Sequence, residues 1–280
     1  FSVNGAALQA AFAALVPVGP VAWNDALATA AEKHSQKMIV ADSQSHQLPG
    51  ELDLGARVTA EGYVWNTLGE NIYAYSDTVL YGHAGFMVDW GPGPDGMQSP
   101  AGHRINIMTA AFREIGIDVT PEANGATSVG PLVITEDLGA RPGVYLVLGV
   151  AYTDSDNNDF YSIGEGRGDL TVQVGASSVL TAASGGYSLG VSAGAISVTL
   201  SGGGRSSAVP VTTTIRTENI KLDVVDGNTL LSSGSLTVTS GSITVLRGLG
   251  ARGLTMTTGT GNQTIEGTIG NDTLTGGAGN

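Results

Sequence analysis

No cysteine occurs among the 280 residues, so no disulfide can staple the fold, and stabilisation beyond packing must come from bound metal. Positive charge is scarce too. Twelve Lys and Arg stand against 25 Asp and Glu, a formal charge of −13. A surface of that sign repels nucleic acid and anionic membrane and attracts cations. No uninterrupted apolar run approaches the ~18 residues of a spanning helix, which predicts a globular chain without a membrane span. The chain opens at Phe1 with no basic-then-apolar leader. The expectation is a protein that is processed, or exported without a cleaved N-terminal signal.

Aromatic residues make up only 6% of the chain and are unevenly spread. All three Trp and all four His precede residue 104, whereas the last thirty residues hold eight Gly and eight Thr. One fold does not normally segregate its large side chains in this way. Three regions are expected: an α/β head, a β middle and a Gly-rich repetitive tail.

In the head, Trp23, Leu27, Ala30, Ala31, His34, Met38 and Ala41 recur at three- and four-residue spacing. They predict a helix from about Trp23 to Ala41 with an apolar face. Asp77 is placed to cap a second helix through Leu80, Ala84, Met87 and Val88. Ser99-Pro100 opens a third, which holds His103, Ile105, Met108 and Ala111. Strands are expected at Arg113–Val119, Leu132–Asp137 and Val144–Tyr152. Helices against a small antiparallel sheet make an α+β sandwich.

Four polar features follow one another: Ser45-His46, Gly69-Glu70-Asn71-Ile72, Met87-Val88-Asp89-Trp90 and Gly102-His103-Arg104. Two imidazoles and two carboxylates can hold one divalent ion or polarise a water. Ser45 beside His46 is a tempting nucleophile, yet neighbours in sequence seldom point at one another. No G-x-S-x-G or H-E-x-x-H pattern is present. His34 falls on an apolar helix face and reads as a core or boundary residue. His83 reads as a surface residue in mid-helix.

The segments "AAEKHSQKM", "SQSH", "LGENIYAY", "HAGFMVDWG", "SPAGHRINIM", "FREIGIDV" and "LVITEDLG" together resemble the CAP superfamily of cysteine-rich secretory and pathogenesis-related proteins. The resemblance spans about Ala7 to Tyr152, and its most specific pieces are Gly-Glu-Asn-Ile and Gly-His-Arg-x-Asn-Ile-Met. It implies an α-β-α sandwich over 1–142 with a central cleft. By motif, His46, Glu70 and His103 take three of the family's two-His, two-Glu positions, and they are the candidates for catalysis. Asp89 stands near the fourth, where the family often has Trp-x-x-Glu, and its shorter carboxylate would weaken or reshape a site. The four would converge on zinc or another divalent ion. Family members have been linked to lipid binding, proteolysis and other activities, so the fold leaves function open.

The middle region carries Asp154-Ser-Asp156-Asn-Asn158-Asp-Phe160-Tyr-Ser162-Ile-Gly-Glu165. Oxygen side chains fall at loop positions 1, 3, 5 and 12, the spacing that wraps a chain around calcium, with the Phe160 carbonyl at position 7. Position 6 is Asp159, where the EF-hand loop has Gly for its sharp turn. An ordinary acidic turn is the competing reading. Flanking runs at Gly149–Thr153 and Leu170–Val174 read as strands, as do Tyr187–Val191, Ala195–Leu200 and Ile220–Val225, with a loop at Arg205–Ala208. The frame resembles the calcium-dependent, prealbumin-like B-type domains of bacterial surface proteins and implies a β-sandwich over 143–225.

From Leu222 onward the segments lean towards a nine-residue period. Gly261, Ile265 and Gly267 fit one copy of G-G-x-G-x-D-x-apolar-x, with Gln263 in place of the aspartate. Gly270, Asp272, Leu274, Gly276, Gly277 and Gly279 fit the next. The tail, 226–280, resembles the start of RTX repeats. That implies a β-roll with calcium at Gly270, Asp272, Gly277 and Gly279, and one-step, ATP-driven (type I) export. The competing reading is a disordered Gly/Thr linker.

Together these features predict a secreted or cell-surface protein: a cleft for a small molecule, lipid or surface ligand, carried on calcium-stabilised β modules. Two alternatives come from other classes. One is a metal-assisted hydrolase that works through the His/Glu cleft. The other is a structural or adhesive protein that self-associates through its β modules.

Overall fold

The computed structural model describes residues 2–279. The chain divides into two compact units, Phe1–Pro142 and Gly143–Asn280.

The first unit contains helices α1 (Gly5–Ala13), α2 (Asp25–Ala41), α3 (Leu54–Ala60), α4 (Val79–Val88) and α5 (Gly102–Ile107). Its strands are β1 (Ala22–Trp23), β2 (Thr67–Ser76), β3 (Glu114–Pro121) and β4 (Leu132–Ala140), in the order β1-β3-β4-β2. Only β1–β3 is parallel, and β3–β4 and β2–β4 are antiparallel. The long helix starts two residues later than its periodicity predicts. Asn24 caps it by accepting from the Ala26 and Leu27 amides at 3.0 and 3.3 Å, which leaves Trp23 in β1 and half exposed. The cap of α4 is Thr78 rather than Asp77, through the Tyr81 amide at 3.0 Å. The third predicted helix stops at Ile107, short of Ala111.

Helix α2 lies on β3 and β4. Gly116 permits this, because a Cβ there would come within 2.0 Å of the Ala28 amide nitrogen. Leu27, Ala30, Val58 and Tyr63 form one core cluster, and Met38, Leu48, Ile72, Ala74, Val129 and Val133 another. Helices α4 and α5 pack on β2, so the Gly-Glu-Asn-Ile strand is the platform against which the cleft residues are set.

The second unit is strand-rich. Its strands are β5 (Tyr145–Tyr152), β6 (Leu170–Val174), β7 (Ser177–Leu180), β8 (Gly186–Val191), β9 (Gly194–Gly202), β10 (Val209–Ile215) and β11 (Ile220–Val225). Then follow β12 (Thr229–Ser232), β13 (Leu236–Val238), β14 (Val245–Gly248), β15 (Thr255–Thr258), β16 (Thr264–Glu266) and β17 (Thr273–Thr275). They form two open, mixed sheets, β17-β15-β13-β10-β9-β6-β7 and β16-β14-β12-β11-β5-β8. Strands β7 and β10 were not expected from the sequence.

Pairing changes character along the unit. Neighbours up to β10 are antiparallel. From β12 onward the chain crosses between the sheets with every strand, so β12-β14-β16 and β13-β15-β17 pair in parallel. One core, from Val147 through Leu200, Val211 and Leu230 to Met256, draws on both sheets and crosses the expected border at 225/226 without a break.

Candidate functional sites

The structure arranges the four cleft residues as two His–carboxylate pairs. His46 Nδ1 lies 2.8 Å from Glu70 Oε1, and His103 Nδ1 lies 2.8 Å from Asp89 Oδ1. Glu70 is held on β2. Asp89 follows α4 in a left-handed conformation (φ 57°) as that helix's C-cap, fully buried. Its second oxygen accepts the His103 amide at 2.9 Å, so one short carboxylate fixes both the backbone and the ring of His103. Two asparagines join the pairs. Asn106 donates to the Glu70 carbonyl at 3.1 Å and to Asn71 Oδ1 at 2.9 Å, and Asn71 donates to Glu136 at 3.0 Å. No three of His46, Glu70, Asp89 and His103 bring ligand atoms within 4.8 Å of one another, so a ligand shared by the two pairs must span them. The Ser45 hydroxyl donates to the Gln47 carbonyl at 2.8 Å and closes its own turn.

Behind these pairs lies a buried ionic cluster. Arg57 donates to Glu70 and to the His46 carbonyl, the latter at 2.9 Å. His34, fully buried, meets Glu51 at 3.0 Å, and its Nε2 stands 3.9 Å from Glu70. Its sequence reading as a core residue is therefore correct, but it is an ion-paired one. Burial pushes the Glu70 carboxyl up; the His46 hydrogen bond and the charges of Arg57, His34 and His46 outweigh this and leave it below the ordinary range. Glu51 is lowered by the same balance, with burial opposed chiefly by its His34 hydrogen bond. Asp137 goes the other way. It faces Glu70 across the β2–β4 ladder, fully buried, with neither oxygen hydrogen-bonded among the described residues. Burial and the Glu70 charge hold its carboxyl well above the ordinary value. His83 is a surface residue that leans toward Glu136 at 4.0 Å, and the nearby carboxylate raises its pKa.

In the second unit, one ligand atom each of Asp154, Asp156 and Glu165 lie within 4.8 Å of one another. The segment connects β5 to β6 and curls around its own acceptors. Asp154 takes the Asn158 and Asp159 amides at 3.1 Å each, and Glu165 takes the Ser155 and Ser162 amides at 2.7 and 2.8 Å. Asn158 donates to Asp156 at 2.9 Å. Asp159 adopts φ 64° and supplies the left-handed turn at the position where a calcium loop has Gly, a conformation that Asp tolerates better than most residues. Phe160 projects into solvent, 73% exposed. The donor set is all oxygen, three carboxylates and one amide, and such a set suits a hard cation such as calcium.

In the tail, Asp272 accepts from the Leu254 and Thr268 amides at 2.7 Å each, and these bonds lower its pKa. Gly270, Gly277 and Gly279 sit where one coil passes the previous one; a Cβ on Gly277 would come within 1.7 Å of the Gly259 carbonyl oxygen. Close approach of neighbouring backbone segments accounts for these three glycines by itself.

Residues 12–135 match the sequence model of the Cysteine-rich secretory protein family, CAP. The first unit thus carries a CAP domain, followed by a strand-rich region outside that match. Among solved structures, the chain is similar to an extracellular protein containing an SCP domain from Bacillus anthracis, at 22% identity and a TM-score of 0.35. That match covers 44% of this chain and 35% of the other, so the chain spans about a third of that relative. An outer surface protein from Borrelia burgdorferi is similar at 14% identity and a TM-score of 0.35, over 44% of this chain and 80% of the other. No curated protein matches. No helix among the described residues is long and apolar enough to cross a membrane.

Proposed function

We propose that the chain is an extracellular protein whose CAP head binds a small amphipathic or cell-surface ligand and is carried on a β unit stabilised by calcium. The observation that carries this reading is the gathering of Asp154, Asp156 and Glu165 within 4.8 Å. Unit charges about 4 Å apart repel by ~1 kcal/mol per pair even in water, and by more near a protein surface. A calcium ion reverses that sign and adds its binding energy to folding, ~2.7 kcal/mol at a hundredfold excess over its dissociation constant. Asn158 and the Phe160 carbonyl complete the shell. In this reading 143–225 is the prealbumin-like sandwich, supported by two sheets around one core, and 226–280 begins an RTX roll, supported by the parallel pairing from β12 to β17. Export by the type I route and folding at millimolar external calcium belong to the same reading.

Within the head, binding is favoured over hydrolysis. The Ser45 hydroxyl is engaged with Gln47 and does not serve His46 as a nucleophile. A divalent ion in the cleft would take His46 with Glu70 or His103 with Asp89; zinc calorimetry with both His replaced by Ala tests that part. The reading as a whole is tested by melting the full chain with chelator and with excess calcium. Calcium raises the transition of the second unit and leaves tryptophan fluorescence, which reports only the head, unchanged. Superimposed curves return the loop to an ordinary acidic turn.

A further inference from the structure

An open groove of about 730 Å³ lies on the outer face of the seven-stranded sheet of the second unit. That volume lies in the range of small-ligand and oligomer sites. Hydroxyls line its floor in two rows. Ser197, Thr212 and Thr237 stand opposite one another on β9, β10 and β13, and this row continues through Thr257 to Thr275. Thr214, Ser235 and Thr255 lie one step further along the strands, and all six line the groove. The alternation of β10 (buried Val209, Val211 and Thr213 against exposed Thr212 and Thr214) turns these side chains away from the core. None of the Thr hydroxyls in the two rows makes a hydrogen bond to the protein among the described residues.

One end of the groove is charged. Arg252 pairs with Glu218 at 2.6 Å, whereas Arg216 is exposed and has no ion-pair partner among the described residues. The other sheet is different: the charges on its strands β14 and β16 neutralise each other, Arg247 with Glu266 at 2.5 Å.

We propose that this groove binds a linear, carboxylate-bearing polysaccharide. Each free hydroxyl both donates and accepts, which matches the hydroxyls of a sugar. Neighbouring strands repeat at about 4.8 Å, close to the length of one residue in an extended glycan, so a row presents one hydroxyl per sugar. The unpaired guanidinium of Arg216 takes a carboxylate through two N–H bonds. Among the described residues no aromatic ring lines the groove, so ligands that depend on ring stacking gain nothing there.

The test is affinity electrophoresis of the full chain in native gels cast with hyaluronan, with hydroxyethylcellulose as the uncharged control. Hyaluronan retards the protein more strongly than the control. The triple variant Thr212→Val, Thr214→Val, Thr237→Val loses at least tenfold in apparent affinity, and the corresponding Ser triple keeps it. Arg216→Gln weakens retardation by hyaluronan and leaves the control unchanged; its exposed position keeps the fold intact should the Val triple melt early. Absence of retardation by hyaluronan, equal retardation of the Val triple, or a preference for the uncharged polymer overturns the proposal.

Discussion

The cleft and the acidic loop both gather carboxylates, and they neutralise them in opposite ways. In the cleft region, Glu70 and Glu51 are buried and meet Arg57, His34 and His46 side chain to side chain. In the loop, Asp154, Asp156 and Glu165 meet chiefly backbone amides and one another, and among the described residues no cationic side chain pairs with any of the three. Of the loop's acidic residues, Arg247 reaches Asp159 alone, at 3.4 Å, among the described residues. The head thus carries its counter-charges on its own side chains, whereas the loop's three carboxylates have no such partner among the described residues. Solution conditions should therefore act on the two regions separately, and the three Trp, all in the head, make the separation readable.

The largest effect should come from removing the head's internal cation. Arg57→Met strands Glu70 and Glu51 in the interior. The head should lose about 3–5 kcal/mol in denaturant unfolding followed by tryptophan fluorescence, with the calcium response of the second unit intact. Next, Glu165→Gln takes away the carboxylate that holds both ends of the loop. Most of the calcium-dependent gain of ~2.7 kcal/mol at a hundredfold excess should vanish, as read by calorimetric melting with and without chelator. An undiminished calcium shift would erase the contrast between the regions.

Asp137 sharpens the comparison from inside the head, because it is the one cluster carboxyl held above its ordinary value of 3.8. The folded state keeps that proton where the unfolded state releases it, so this group's contribution to stability is full below about pH 3.8 and is lost as pH rises. Asp137→Asn removes the loss. The variant should match the wild type near pH 4 and exceed it by of order 1 kcal/mol at pH 7. Glu70 and Glu51 oppose this: their lowered pKa values stabilise the fold above their ordinary 4.5, and that contribution disappears as pH falls. Smallest is Thr78→Ala, which removes the cap of α4 and should cost the head about 1 kcal/mol with no change in calcium response.

Local patterns made much of this legible in the sequence. His46, Glu70, Asp89 and His103 stand in motifs, and the loop from Asp154 to Glu165 shows its oxygens by spacing alone. Arg57, Glu51 and Asp137 carry no such signal, because what matters about each is a partner far along the chain: Arg57 finds Glu70 only after α3 packs beside β2. Helix α1, with none of its residues buried, offers no amphipathic period to read. Strand β10 is broken in pattern by Pro210, and β2 hid inside the stretch recognised as a motif. The nine-residue period announced the tail, but the alternation of its strands between two sheets depends on pairings between distant residues that no local pattern displays.

That alternation makes the tail a counter with a two-beat measure. Ile265 and Leu274, nine positions apart, belong to opposite sheets, while Met256 and Leu274, eighteen apart, are direct partners in one. Inserting a single nonapeptide between them would send every later strand to the wrong side, like a dropped stitch. Inserting two would only lengthen the fabric by one course. Length variation among proteins built this way should therefore come in even numbers of repeats, and an odd insertion should be visible as a misfolded end.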